Sequence, residues 1–185
     1  FIGQWSEIEI GHAGDDFAGC DSIVDLIYGY NGTYFDELYT AFGLLPPAAG
    51  YVLLQGPIVP SPGDSAFFDF GYIHDYRNRP MTSFNWRGAG TSFGSPNLGS
   101  YDGTLQRYNL LNGFLPIADS LNQTPFLHGA GPLVGIPTSF PLNGDPYYRT
   151  GDIDGVFTNP APGNREISLS SGPFTLQPGD SQEVV

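Results

Sequence analysis

The chain has 185 residues, which is long enough for one domain with its own hydrophobic core. Glycine (26 residues) and proline (17 residues) are frequent, but aromatic residues make up 15% of the chain and give it apolar surface to bury, unlike a disordered chain. Nineteen acidic residues against six arginines and no lysine give a net charge of −13, which argues against binding to nucleic acid or to anionic membranes.

Cys20 is the only cysteine, so no disulfide within the chain can stabilise the fold. We expect it to be a small buried side chain rather than a reactive thiol. The sequence shows no signal peptide and no apolar run long enough to cross a bilayer. Because it begins at Phe1 without a methionine and ends at Val185 inside a predicted strand, we expect a single β-rich domain, residues 1–185, from a larger polypeptide.

Short apolar runs separated by glycine and proline turns predict a succession of strands. The loops between them include Pro60–Asp64 and the long proline-rich segment Pro116–Pro146. This pattern predicts a mainly β fold that is β-sandwich-like, with long Gly/Pro-rich loops. In chain order, the predicted strands are Ser22–Tyr30, Tyr51–Gln55, Ser65–Tyr72, Met81–Arg87, Glu166–Ser171, Phe174–Leu176 and the segment from Gln182 onward.

One short helix is predicted at Asp102–Asn112. Asp102 is suited to cap its N-terminus, and Gly113 is suited to end it. Its apolar face is expected to contain Leu105, Tyr108 and Leu111. The segment Tyr34–Gly43 is expected to be a second, shorter helical piece or an irregular one.

Acidic residues are concentrated near the beginning of the chain and are interleaved with glycines at positions 11, 14 and 19. Carboxylate oxygens on a loop that glycine allows to turn sharply are what a hard cation such as calcium requires. Without a cation, the same carboxylates would repel one another. We therefore predict a structural calcium site, with Asp15, Asp16 and Asp21 as the first ligands and Glu9 and Asp25 as weaker candidates; the alternative is a solvated acidic turn.

Other motifs are weaker. The pattern Gly151-Asp-Ile-Asp-Gly155 begins like a calcium loop but lacks the downstream glutamate, so a turn is expected. Gly90-Thr-Ser92-Phe-Gly94 matches the nucleophile elbow of hydrolases, although no helix follows it directly. The three histidines, His12, His74 and His128, are too dispersed to predict zinc binding. Trp86 could offer a sugar platform on an exposed loop, although most aromatic residues are expected to pack in the core.

A set of motifs is spread over nearly the whole chain: Trp5-Ser, Gly11, Asp15-Asp16-Phe-x-Gly-Cys20-Asp21, Tyr28-Gly-Tyr30-Asn31-Gly32, Pro46-Pro47-Ala48, Gly50, Leu54-Gln55-Gly56-Pro57, Tyr76-Arg-Asn78, Pro80-Met-Thr-Ser-Phe84, Tyr108-Asn109, Gly113, Arg165-x-Ile-x-Leu-Ser-Ser-Gly-Pro-Phe174 and Pro178-Gly179-Asp180. Together these motifs resemble a region of large secreted and cell-surface Bacteroidota-type proteins, which usually carry a C-terminal type IX secretion sorting domain. The resemblance implies export to the cell surface or the medium, and no catalytic residue set is established for this region. Glu7, Glu9 and His12 stand where the family pattern leads us to expect aspartates.

The sequence thus favours a non-enzymatic extracellular module that is structural or adhesive, as in a surface protein or a filament. Its partners would be neighbouring domains or copies of the same protein, and surface glycans are a further option. The first alternative is a carbohydrate-binding module, which a strip of exposed aromatic side chains would favour. The second is a hydrolase that uses Ser92 with a histidine, or a pair of acids.

Overall fold

The computed structural model describes residues 1–88, 91–92, 94–119 and 121–185. Its strands are arranged in antiparallel sheets, and one of its two α-helices is only one turn long. None of the helices in the described ranges combines the length and the apolar character that crossing a membrane requires. The elements are β1 (Ile2–Ile8), β2 (Asp16–Asp21), β3 (Leu26–Asn31), α1 (Glu37–Thr40), β4 (Ala48–Val52), β5 (Ile58–Phe68), β6 (Gly71–Asn78), β7 (Ser83–Gly88), α2 (Tyr101–Leu111), β8 (Phe126–Leu127), β9 (Pro137–Thr138) and β10 (Arg165–Ser171).

The first sheet has the strand order β1-β10-β7, with β10 at its centre. It joins the beginning of the chain to its end, because Ile8 pairs with Arg165 and Ile2 with Ser171. Side chains alternate along β10. Ile167 and Leu169 therefore enter the core, whereas the intervening serines face α2.

The second sheet has the order β2-β3-β4 and packs against the first across one core. The β2–β3 pair is formed by a run of apolar and small residues in register, with Cys20 opposite Ile27. Cys20 is buried, and burial raises the pKa of its thiol well above the ordinary range. The residues of the core are Ile8, Ile10, Ala18, Cys20, Ile27, Leu53, Met81, Phe84, Trp86, Leu142, Ile167 and Leu169.

Strands β5 and β6 form a hairpin of their own. Its two turn residues, Asp69 and Phe70, have φ of 48° and 59°, the combination of a type I′ turn that favours tight hairpins. The pairing shifts register between Pro60 and Ser65. The Asn78 side chain of β6 also links the two strands. It accepts from the Phe67 N–H (2.8 Å) and donates to the Phe67 carbonyl (2.9 Å).

Helix α2 packs on the outer face of the first sheet through polar contacts. Ser100 caps its N-terminus by accepting from the Gly103 N–H, so the predicted cap, Asp102, is wrong by two residues. The helix ends as predicted at Gly113, which has φ of 80°. Its buried residues are Gly103, Asn109 and Leu110, whereas Tyr108 is 50% exposed, so the predicted apolar face is also wrong.

The long segment between α2 and β10 is held by two buried aspartates in the Gly151–Gly155 motif. Asp152 accepts from the N–H groups of Gly129 (3.0 Å), Ala130 (2.8 Å) and Leu142 (3.0 Å). Asp154 accepts from Ala18 N–H and forms an ion pair with Arg165, and both charged side chains are fully buried. The chain turns here as expected, but its carboxylates face inward and bind the segment to the two sheets.

The mainly β, sandwich-like fold with one main helix agrees with the prediction. The predicted strand Glu166–Ser171 is confirmed and begins one residue earlier. The strand predicted at Ser22–Tyr30 begins only at Leu26, because residues 22–25 form the turn that joins it to β2. Conversely, Asp16–Asp21, expected to be part of a loop, is itself a strand.

The boundaries of other predicted strands also differ from those in the structure. The strand predicted at Ser65–Tyr72 spans the hairpin turn, and the predicted loop Pro60–Asp64 lies inside β5. The strands predicted at Tyr51–Gln55 and Met81–Arg87 are displaced to β4 and β7. Phe174–Leu176 and the segment from Gln182 are irregular, although Val185 exchanges backbone hydrogen bonds with Gln55.

Candidate functional site

The acidic segment forms a tight turn before β2, and a residue from outside the segment anchors it. Asp36, the N-cap of α1, is only 4% exposed; its Oδ2 accepts from His12 N–H (2.6 Å) and its Oδ1 from Leu38 N–H (2.8 Å). These hydrogen bonds hold the pKa of Asp36 below its ordinary value. Gly11 lies directly against this carboxylate, and a Cβ at position 11 would come within 2.2 Å of Asp36 Cγ. The turn therefore requires glycine there.

Asp16 lies at the floor of this turn and is only 1% exposed. Its Oδ2 accepts from Ile10 N–H (3.0 Å), but its buried Oδ1 has no hydrogen-bond partner. Burial raises the pKa of Asp16, and the nearby carboxylates of Asp15, Asp36 and Glu9 raise it further. The site thus gathers negative charge around an oxygen that nothing in the described structure satisfies.

A second unsatisfied oxygen belongs to the residue that pairs with Asp16. Asn31 pairs directly with Asp16 across the β2–β3 ladder, which brings their Cβ atoms to about 5 Å on the same face. The Asn31 amide donates to the Thr33 carbonyl (2.9 Å) and contacts Thr33 Oγ1 (3.2 Å), while its buried Oδ1 has no partner. Because a carbonyl oxygen can only accept, the bond to it fixes the amide orientation.

Asn164 carries the remaining buried and unpartnered side-chain polar atom that the described residues contain. It is adjacent to Gly163, whose N–H donates to the Asp16 carbonyl (3.0 Å). All three unsatisfied atoms are oxygens, on Asp16, on its cross-strand partner Asn31 and on Asn164, the residue after Gly163. Sequence reasoning identified Asp16 but missed Asn31, Asp36 and Asn164, because their proximity depends on strand pairing and on loop contacts distant in sequence.

The five predicted ligands do not converge on one point. Glu9 and Asp15 lie close to Asp16, but Asp21 is at the opposite end of β2, ~17 Å away at about 3.3 Å per residue. Asp21 Oδ1 accepts from Ile23 N–H, and Asp25 Oδ1 accepts from Met81 N–H. The described ranges contain no group of three or more His, Cys, Asp or Glu side chains placed to hold a metal ion.

A groove of about 1010 Å³ opens beside the β2–β3 pair and extends to Asn31 and Thr33 at the end of β3. Phe17 and Tyr30 form part of its wall, with ring centroids 5.5 Å apart, and Tyr34 extends the wall. Burial, with the nearby Asp154 carboxylate, raises the pKa of Tyr30 to about 12, so its hydroxyl stays protonated at neutral pH. Arg149, exposed and with φ of 54°, contributes a positive charge to the same groove.

Next to this groove, an apolar stretch projects into solvent. We call it the apolar ridge: the six large side chains of Tyr34, Phe35, Leu38, Phe42, Leu44 and Leu45. Their exposed fractions range from 57% to 84%. Helix α1 supplies only one turn, and it buries none of its residues. Monomeric proteins rarely expose a contiguous apolar surface of this kind without a binding role.

The residues suggested for hydrolysis do not form a cleft in the part of the chain that is described. Ser92 is exposed, and its motif neighbours Gly90 and Phe93 lie outside the described residues. A different serine–histidine contact occurs between Ser65 Oγ and His74 Nδ1 (3.0 Å), but these are cross-strand partners exposed on the hairpin. The two side chains have no surrounding walls to position a substrate.

The tryptophans are not a sugar platform on a loop. Trp86 is only 6% exposed and belongs to the core, which corrects the suggestion made from the sequence, because β7 places it opposite Ile167. Trp5 is 49% exposed, and its Nε1 donates to Glu166 (3.2 Å). The exposed aromatic residues near the groove include Phe157 and two tyrosines, Tyr147 and Tyr148, which contact each other edge to face.

Comparison with protein-family models gives no match. Searches of curated proteins and of solved structures also find no significant match.

Proposed function

We propose that this chain is a non-enzymatic structural and adhesive module of a protein that works outside the cell, and that it contacts a neighbouring copy of itself through the apolar ridge. The exposure of the ridge is the observation that carries the proposal. Burying one such large apolar side chain contributes about 1.5–3 kcal/mol, so six of them provide a substantial driving force. The family resemblance in the sequence supports the extracellular location.

The charge distribution supports a second copy as the occupant. Two chains of charge −13 repel each other, so they can associate only where the surface carries little charge. Between Tyr34 and Leu45 the only acids are Asp36 and Glu37, and Asp36 is buried. The ridge also adjoins a groove lined by Phe17 and Val156, so one surface presents both a projection and a recess.

Sedimentation equilibrium tests this proposal. The wild-type chain is expected to self-associate at micromolar concentration, and more strongly at high salt, which screens the negative charges. Phe42→Ser with Leu45→Ser should abolish association. Phe70→Ser is the matched control, because Phe70 is 91% exposed at the hairpin tip, away from the ridge. A strictly monomeric wild type, or equal loss of association in the control, contradicts the proposal.

The groove favours carbohydrate binding as a second function. Sugar rings stack on aromatic faces, and Tyr34 and Phe17 offer such faces beside the hydrogen-bonding groups of Asn31, Thr33 and Arg149. The groove is large enough for a short oligosaccharide. A guanidinium among these groups favours glycans that carry a carboxylate or a sulfate.

A glycan array followed by calorimetry tests this second function. Tyr34→Ala and Arg149→Ala should each weaken binding at least tenfold, while the correspondingly exposed Tyr72→Ala and Arg77→Ala on the hairpin should not change it. Binding that survives both groove substitutions would place the glycan elsewhere. A wild type that retains no glycan removes this function and leaves the ridge proposal standing.

A further inference from the structure

The strongest unexplained feature at the edge of the groove is the pair of buried oxygens on Asp16 and Asn31. Both atoms accept hydrogen bonds and neither has a donor. While Asp16 is ionised, neither oxygen can donate to the other, and an unsatisfied buried oxygen carries a large desolvation cost. A positively charged ligand would satisfy both at once.

The surroundings determine what kind of ligand fits. Glu9 and Asp15 add carboxylates close to Asp16, and the described residues around the turn contribute no ion pair to neutralise them. Asp15 Oδ2 is held in place by the Thr33 hydroxyl (2.8 Å). The donors are all oxygens, both carboxylate and amide, and this set is characteristic of calcium rather than of zinc.

We propose that Asp16 and Asn31 are the inner protein ligands of a calcium ion, with Asp15 and Glu9 supplying charge and waters completing the coordination. This site excludes Asp21 and Asp25, which lie at the other end of β2. It includes an amide from β3 and does not need three acidic ligands, because calcium accepts amide and backbone carbonyls alongside carboxylates.

The location of the site gives the ion a structural role. The acidic turn connects β1 of the first sheet to β2 of the second, and Asp16 begins β2. An ion shared by Asp16 and Asn31 would join β2 to β3 at the point where the turn enters the sheet. The site lies beside the groove, whose lining includes Asn31, and its existence does not depend on the function proposed above.

Titration of the chelator-treated chain tests the proposal. The wild type should bind one calcium ion per chain by calorimetry, with magnesium binding much more weakly because its small octahedral shell fits loosely held amide and carboxylate ligands poorly. The melting temperature should rise with calcium concentration. A wild type that shows neither binding heat nor a change in melting temperature overturns the site.

Variants locate the ion. Asp16→Asn keeps an oxygen for the Ile10 N–H but removes the charge, and it should weaken calcium binding at least tenfold. Asn31→Ala should weaken binding similarly, and it serves as the second variant if Asp16→Asn fails to fold. Asp21→Asn is the matched control with the same change in charge, and its affinity should equal that of the wild type. Equal affinities for all variants, or a loss in Asp21→Asn alone, overturn the assignment.

Discussion

Arg165 shows how a single residue can hold several parts of this molecule together. Its Nε is 2.8 Å from Asp154 Oδ2, its guanidinium is 5.0 Å from the centre of the Trp86 ring, and its side chain is fully buried. A buried charge is stable only with its partner in place. Removing the arginine would therefore leave the Asp154 carboxylate uncompensated in the interior.

We expect Arg165→Met, which keeps the volume but loses the charge, to lower the free energy of unfolding by about 3–5 kcal/mol. Urea denaturation at pH 7 measures the change. Arg107→Met is the control, since Arg107 is exposed on α2 and its replacement should cost no more than about 0.5 kcal/mol. Similar losses for the two variants would show that the ion pair is not the source of the effect.

Glu166 gives a pH-dependent prediction at the same scale. Burial raises its pKa, but hydrogen bonds from Ser95, Arg87 and Trp5 outweigh this and lower it below its ordinary value of 4.5. Because the pKa is lower in the folded state, the charged form stabilises the fold above pH 4.5, and this stability is lost as the pH falls through the folded-state pKa.

Glu166→Gln should therefore reduce the free energy of unfolding at pH 7 by about 1.5–3 kcal/mol, the range for hydrogen bonds to charged groups. The difference from the wild type should shrink steadily once the pH falls below 4.5. Urea denaturation between pH 7 and pH 3 provides the comparison, with the Glu37→Gln variant of α1 as the control. A difference independent of pH would assign the loss to shape rather than to charge.

Individual residues were the hardest features to predict from the sequence. The acidic turn was recognisable from its carboxylates and glycines, and Asp15 lies in it, whereas Asp16 already belongs to β2. Asn31 gave no signal, because an amide near a turn usually serves the turn itself. The buried roles of Asp152 and Asp154 were also missed, since their partners come from other loops and strands.

At the scale of elements, the C-terminus of α2 is stabilised by the sheet beneath it. The last carbonyls of a helix have no partners within the helix. Here the Leu111 carbonyl accepts from Ser83 Oγ (3.3 Å) and Ser170 Oγ (2.8 Å), and the Leu110 carbonyl accepts from Asn85 (3.3 Å). Polar side chains on the outer face of the sheet thus satisfy the end of the helix, beside the apolar contact that Leu111 makes with β1 at Gly3.

Ser170→Ala should lower the free energy of unfolding by about 1–2 kcal/mol, because it removes a buried donor from the Leu111 carbonyl. Adding Ser83→Ala to this variant should lower the free energy of unfolding by less than Ser83→Ala does alone, since the two hydroxyls contact each other and share the Leu111 carbonyl as acceptor. Amide hydrogen exchange in the last turn of α2 should become faster. Thr104→Ala, on the exposed side of the helix, should change neither the free energy of unfolding nor the exchange rate appreciably. If the losses from Ser83→Ala and Ser170→Ala simply add in the double variant, the two hydroxyls do not form a shared network.

The elements were predictable where local signals are strong. Helix α2 was placed to within one residue because Gly113 ends it, although its buried face follows polar contacts that hydrophobic periodicity does not detect. Strand β10 was found from its alternating residues. The turn between β2 and β3 was not predicted, because Ser22–Asp25 contains neither glycine nor proline. Asp25 itself adopts the left-handed φ of 54° that such a turn requires.

The segment after β10 contributes to the stability of the whole molecule without forming a strand. Val185 exchanges backbone hydrogen bonds with Gln55, and Val184 packs against the core. The Gln182 side chain accepts from Ile58 N–H (2.8 Å) and donates to its carbonyl (3.3 Å). The segment thus contacts the chain just after β4 and the beginning of β5.

Deleting residues 182–185 should lower the free energy of unfolding by about 2 kcal/mol, mostly through the lost burial of Val184. The amides of Leu54 and Gln55, which donate to the Val185 carbonyl at 2.8 Å and 3.0 Å, should then exchange faster. Urea denaturation and hydrogen exchange measure the two effects. Replacing Leu176, which is 57% exposed, with serine provides a control that leaves these contacts intact.

The order of the strands in the first sheet has a consequence for how the chain is made. β1 is synthesised before β10, yet β10 is its ladder partner among the described residues and begins 157 positions after the end of β1. At ~5–20 residues per second, the first strand waits many seconds without a neighbour. Until β10 has been synthesised, the first sheet cannot be completed, and the backbone groups and apolar side chains of β1 stay accessible to other chains during that interval.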